Sequence, residues 1–185
     1  MTDLKCPICS NTSIKPPTIE VAGKKYDCGI CGAFLIAVPA EETLKNKSCD
    51  YKLSAWIREH HEFKREPPKI TTYILEDVLK NFPDHKVSEK QTLLMRAIER
   101  RTDYPGAEVR INDQDYPLAW AKNYEELKFI IRSLKERGFI YINDANEDRL
   151  NIGFVQTKIL PNGWDYLDKL TITCLHKSGI CCYVI

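Results

Sequence analysis

Cys6-Pro7-Ile8-Cys9 and Cys28-Gly29-Ile30-Cys31 are two C-x2-C pairs, and 18 residues separate Cys9 from Cys28. A structural zinc site of the C-x2-C-x15–20-C-x2-C type has this spacing. Zinc takes four ligands in a tetrahedron, and thiolates suit it at about 2.3 Å. Two cysteines three positions apart on a tight turn supply two adjacent corners. Pro7 fixes φ at one turn, and Gly29 and Gly32 are expected to take positive φ at the other. The competing readings are two disulfides or a redox C-x-x-C. A redox motif would stand once, ahead of a helix in a βαβ setting, and neither copy does. Cys6, Cys9, Cys28 and Cys31 are therefore expected to hold one structural Zn2+. Four thiolates leave no open position for water or substrate, so the site is not catalytic.

The other reactive side chains form no comparable set. His60 and His61 are adjacent on an expected helix and point about 100° apart, too divergent to share one ion. Cys49 stands alone, with no glycine-rich turn or helix start to activate it. Cys174, His176, Cys181 and Cys182 lack four ligands at a familiar spacing. The closing Cys182-Tyr183-Val184-Ile185 has C-a-a-X form, without a usual last residue or a preceding polybasic run. The stretch from Ile180 to Ile185 reads as an apolar terminal strand. No G-x-G-x-x-G or Walker A loop occurs, and no nucleophile motif accompanies the 4 histidines. The expectation is a protein that is not an enzyme.

Apolar residues make up 43% of the 185-residue chain, enough for a packed core and too many for disorder. No apolar run is long enough for a membrane helix, and no signal peptide is visible. A cytoplasmic location is the expectation, where eight cysteines are metal ligands and free thiols sooner than disulfides. Net charge is +1, and no segment forms a basic block of the kind that drives non-specific nucleic-acid binding.

The elements that must position these residues follow an α+β pattern. Residues 1–40 read as a zinc ribbon of short antiparallel strands. Ala22-Gly23 is its hairpin turn, and Ala33 to Val38 its third strand, closed by Pro39. So small a unit needs its metal to fold. Residues 41–87 read as a helical connector, with helices over 54–63 and over Tyr73–Phe82, the second capped by Thr71 or Thr72. In residues 88–170, Ser88 and Gln91 have capping-box spacing, and a helical stripe runs to about Arg101. A short strand, Glu108–Ile111, leads into a polar loop, and Pro117–Ala121 reads as a short helix. Asn123 is an N-cap, with Glu125 and Glu126 in the first turn. Leu127, Ile130, Ile131 and Leu134 keep helical spacing, and Gly138 ends that helix. Phe139–Ile142 and Leu150–Leu160 read as strands around a polar turn. A last helix runs from Trp164 to Leu170, before a tail of residues 171–185.

Leu127 through Ile140 read L-x2-I-I-x2-L-x3-G-F-I, and Ile159-Leu160-Pro161-Asn162-Gly163-Trp164-x2-Leu167 follows the hairpin. In these residues the 88–170 region resembles a winged helix-turn-helix domain. Many such domains end the third helix this way and resume with L-T-x2-G-x3-L; here Ile159 and Leu160 stand in place of Leu and Thr. The layout also resembles the zinc ribbon plus winged-helix region that precedes effector domains in some prokaryotic defence and signalling proteins. In that resemblance Leu53-Ser54-Ala55-Trp56-Ile57-Arg58-Glu59 and Tyr116-Pro117-Leu118-Ala119 are recurring patches.

The resemblance implies that the third helix enters the DNA major groove. Its outward face holds Lys128, Arg132 and Lys135, with Arg149 and Lys158 reaching phosphates from the wing. Against this, Asp144, Glu147 and Asp148 in the wing turn would repel a phosphate backbone, and the basic stripe reads equally as a solvated face. Two functions stay open. One is a non-catalytic regulatory protein binding double-stranded DNA. The other is a protein-interaction or sensor module, of a prokaryotic defence system for instance, that binds a partner protein instead. A homodimer is compatible with either.

Overall fold

The computed structural model describes residues 4–45, 51–142 and 153–178. The chain divides into two compact units, Met1–Lys86 with Gln114–Leu127, and Val87–Asp113 with Lys128–Ile185.

In the first unit, β1 (Thr18–Glu20), β2 (Gly23–Cys28) and β3 (Gly32–Ile36) pair antiparallel. Glu20 pairs with Gly23, so the hairpin turn is Val21-Ala22, one residue earlier than expected. Packing decides this register: Gly23 takes φ +140°, and a Cβ there would sit 2.0 Å from the Ile36 carbonyl oxygen. The third strand stops at Ile36, and α1 (Val38–Lys45) begins immediately after it. Pro39 lies in its first turn, where a missing N–H costs nothing. Next come α2 (Tyr51–Glu62), β4 (Lys69–Ile70) and α3 (Thr72–Asn81). Thr71 caps α3, its hydroxyl accepting from the Ile74 N–H. β4 lies parallel to β3, so the 41–87 stretch adds a strand to the ribbon's sheet. One core runs from Cys6 to Val78 through Phe34, Ile36, Leu53, Ile57, Ile70 and Leu75. A ribbon that exposes one apolar sheet face must cover it, and α2 and α3 supply the cover. A 3-10 helix, Asp113–Ala119, brings Tyr116 against this core.

The second unit opens with α4 (Val87–Arg101). The expected capping box does not form. Ser88 is already helical, and its carbonyl accepts from the Thr92 hydroxyl. The Gln91 amide instead donates to the Ser133 hydroxyl at 2.7 Å and accepts from Arg137 at 2.5 Å. Side-chain partners in the folded unit outcompete a local cap at this position. The strands β5 (Val109–Asn112), β6 (Ile140–Ile142) and β7 (Phe154–Ile159) form an antiparallel sheet ordered β5-β7-β6. Val109, Ile111, Ile140, Ile142, Val155 and Ile159 are buried, as are Leu94, Met95 and Ile98 of α4.

The helix α5 (Tyr124–Glu136) is built as its sequence dictates. The Asn123 side chain accepts from the Glu126 N–H at 3.0 Å, and Leu127, Ile130, Ile131 and Leu134 are buried. Gly138, at φ 67°, donates to the Lys135 carbonyl while Phe139 donates to the Leu134 carbonyl. This is the two-bond Schellman stop that favours glycine. The last helix, α6 (Pro161–Ser178), starts three residues earlier than expected and runs past Leu170. Pro161 takes a first-turn position suited to it.

Candidate metal centre

The two knuckles are shaped by backbone bonds before any metal enters. Ser10 takes φ 58° and its N–H donates to the Cys6 carbonyl at 2.9 Å, closing the first turn. The Cys6 N–H donates to the Asn11 carbonyl at 2.9 Å. In the second knuckle Gly32 takes φ 93°, as expected. Gly29 does not take positive φ. It is a close-approach glycine, whose Cβ would stand 3.0 Å from the Ser13 hydroxyl. Its N–H donates to the Ser13 carbonyl at 2.9 Å, which ties the second turn to the segment that follows the first.

This scaffold brings together the four predicted ligands. The sulfurs of Cys6, Cys9, Cys28 and Cys31 all lie within 4.8 Å of one another, the only such ligand group among the described residues. Cys9 and Cys28 sulfurs are 3.6 Å apart, close to the roughly 3.8 Å edge of a zinc–thiolate tetrahedron. All four are free thiols, not disulfides. Three are buried, and Cys9 is half-buried. The donor set fits a tetrahedral structural metal such as zinc, with no side left for a substrate. The Ser54 hydroxyl lies 3.2 Å from the Cys31 sulfur, a partner of the kind that orients a ligand.

Without metal the sulfurs share protons unevenly. Cys28 is drawn well below the usual thiol range because Cys31, and then Cys6 and Cys9, hydrogen-bond to its thiolate. Cys9 and Cys31 are pushed well above it, foremost by their bonds to Cys28 and further by burial. A metal must displace the protons held on Cys9 and Cys31. Proton competition strengthens as pH falls, so apparent zinc affinity should drop by more than about tenfold per pH unit, more than one proton being released. Competition titration against a chelator at two pH values checks this, and a flat profile contradicts it.

The surroundings hold residues that sequence reasoning did not single out one by one. Arg58, from α2, donates through Nη1 to the Gly29 and Ile30 carbonyls, each at 3.1 Å, inside the second knuckle. Through Nη2 it donates to Asp115 Oδ1 at 2.7 Å. Arg58 belongs to the patch Leu53–Glu59, and Asp115 stands one residue before the patch Tyr116–Ala119. His61 packs its Cβ against Gly32, 2.8 Å from where a glycine Cβ would stand. The His60 ring lies tilted against Trp56, centroids 4.4 Å apart, with Nδ1 2.9 Å from the Trp56 carbonyl oxygen. Neither histidine joins a ligand group.

Of the expected nucleic-acid contacts, Arg132 is exposed and Lys128, Lys135 and Lys158 are half-buried. The Lys158 ammonium stands 5.1 Å from the centre of the Tyr141 ring. Phe129 is exposed on the same helix, with Glu125 and Glu136. Arg110, not anticipated, lies 4.0 Å over the Phe154 ring on the outward side of the sheet. Arg149, the wing-turn acids, Cys49, Cys181 and Cys182 lie outside the described residues, as does the expected strand Ile180–Ile185. Cys174 and His176 fall on α6 at positions whose side chains are not described. Among the described residues no helix is long and apolar enough to cross a membrane. Comparison of the chain with protein-family models, with curated proteins and with solved structures finds no match.

Proposed function

We propose that this chain is a non-catalytic, zinc-binding regulatory protein of the cytoplasm whose residues 88–170 form a winged helix-turn-helix that binds double-stranded DNA. The observation that carries the reading is the sequel of α5. A capped helix turns one apolar stripe inward and leads directly into the β6–β7 hairpin, whose second strand is the centre of the sheet. The order of α4, β5, the 3-10 helix, α5, the β6–β7 pair and α6, with β7 between β5 and β6, resembles that of a winged helix. Beside the stripe lie Lys128, Arg132 and Lys135, at i, i+4 and i+7. Anisotropy titration of the zinc-loaded protein with random duplex DNA at two salt concentrations tests it. Binding should be near micromolar at low salt and weaken steeply as salt rises. Arg132→Ala should flatten the salt slope by about one unit.

A second reading rests on the mixed character of the same face. Phe129 is 57% exposed, between the carboxylates of Glu125 and Glu136. An exposed aromatic ringed by both charges suits a protein partner better than a phosphate backbone. The absence of any DNA binding at the lower salt would favour that reading.

A further inference from the structure

We propose that Arg58 is a positioning residue that makes the order of the Gln114–Ala121 segment depend on the metal centre. The inference rests on the metal reading of the four cysteines and goes beyond it.

The Arg58 side chain is 11% exposed and that of Asp115 5%. A guanidinium so enclosed must have partners, and its planar fork fixes where they stand. One arm of the fork, Nη1, serves the Gly29 and Ile30 carbonyls between Cys28 and Cys31. The other, Nη2, holds Asp115. Nε lies 3.2 Å from the Glu62 carboxylate, off the N–H axis, so the pair is electrostatic and this N–H makes no hydrogen bond. One rigid group therefore joins the knuckle backbone to the 3-10 helix. Four thiolates about a dication also leave a net negative centre, which favours a buried cation nearby.

The segment has further ties to this unit. The Gln114 amide oxygen stands 3.2 Å from the Cβ position of Gly29. Trp120 is buried in the left-handed region, at φ 52°, and stacks on Phe82 with centroids 5.5 Å apart. A tryptophan keeps such a backbone only where its surroundings impose it. The segment then runs through Asn123 into α5. If the knuckle loses its metal, the Gly29 and Ile30 carbonyls lose their fixed position, and Arg58 loses the geometry that holds Asp115. The segment's local opening free energy then falls while α4, in the other unit and buried through Leu94, Met95 and Ile98, stays closed.

Hydrogen exchange of the full chain tests this, with metal content measured on each sample. In the zinc-loaded wild type, amides of 115–121 should be protected. Stripping the metal with a chelator should speed their exchange at least about tenfold, with α4 of the other unit as the unchanged internal reference. Arg58→Lys keeps the charge and removes the fork. It should retain stoichiometric zinc and protected ribbon strands, yet show fast exchange over 115–121 with or without metal. Asp115→Ala, which removes the acceptor and leaves Arg58 and the knuckle in place, serves if the lysine variant fails to fold and should show the same uncoupling. Equal protection in loaded and stripped wild type overturns the proposal alone, as does a variant that keeps the metal-dependent difference. A wild type that takes up no zinc overturns the metal reading and this proposal together, and the metal analysis tells the two failures apart.

Discussion

Cys28→Ser is expected to abolish stoichiometric zinc binding and melt the ribbon. Cys28 is buried, supplies one of four sulfurs within 4.8 Å and pairs with Gly32 at the end of β2. A serine hydroxyl does not replace a thiolate for zinc. Structural zinc contributes about 10–16 kcal/mol of apparent binding free energy in small metal-folded units, against a total stability of about 5–15 kcal/mol for a domain. Loss of even part of that term leaves the strands between residues 4 and 36 unfolded. The second unit, with its own sheet and its own buried residues on α4, should retain a cooperative transition. Zinc analysis and exchange protection measured peptide by peptide check both halves. Full zinc content in the variant would remove Cys28 from the ligand set.

Gly163→Ala should destabilise the second unit, although alanine is the better helix former. A Cβ at Gly163 would stand 2.3 Å from the Phe139 carbonyl oxygen, 2.8 Å from Ile159 Cγ2 and 3.0 Å from Met95 Cε. The carbonyl cannot give way, because it accepts the Leu160 N–H at 2.9 Å where α6 begins. Overpacking of this kind costs about 1–3 kcal/mol and more against backbone, while helix propensity returns at most about 1 kcal/mol. The net expectation is a loss of about 2 kcal/mol, read as a fall in Tm of about 10 °C for a unit of this size. Asp168→Ala, exposed on the same helix, should stay within about 0.5 kcal/mol of wild type. An unchanged Tm for Gly163→Ala would mean that α6 does not rest on the Phe139 carbonyl.

Gly163 also gives a physical ground for a pattern first seen only as resemblance. Its spacing from Leu167 was legible in the sequence. The reason for the glycine is contact with Phe139, 24 positions away along the numbering, and no local rule contains it.

Features governed by short range were legible in the sequence alone. Two C-x2-C turns place their own sulfurs, so the metal centre could be read from spacing. The Asn123 cap, the Leu127–Leu134 stripe and the Gly138 stop are each bounded by a turn or two of helix, and all three form. Tertiary structure decided the rest. Gln91 abandons a local cap for Ser133 and Arg137, because partners within the folded unit satisfy its amide at both ends. Lys69-Ile70 carries too few residues for a strand signal, and becomes β4 only because β3 offers it an edge. Arg58 and Asp115 stand 57 positions apart; burial of a guanidinium, which must then find carbonyls and a carboxylate, is what brings them together.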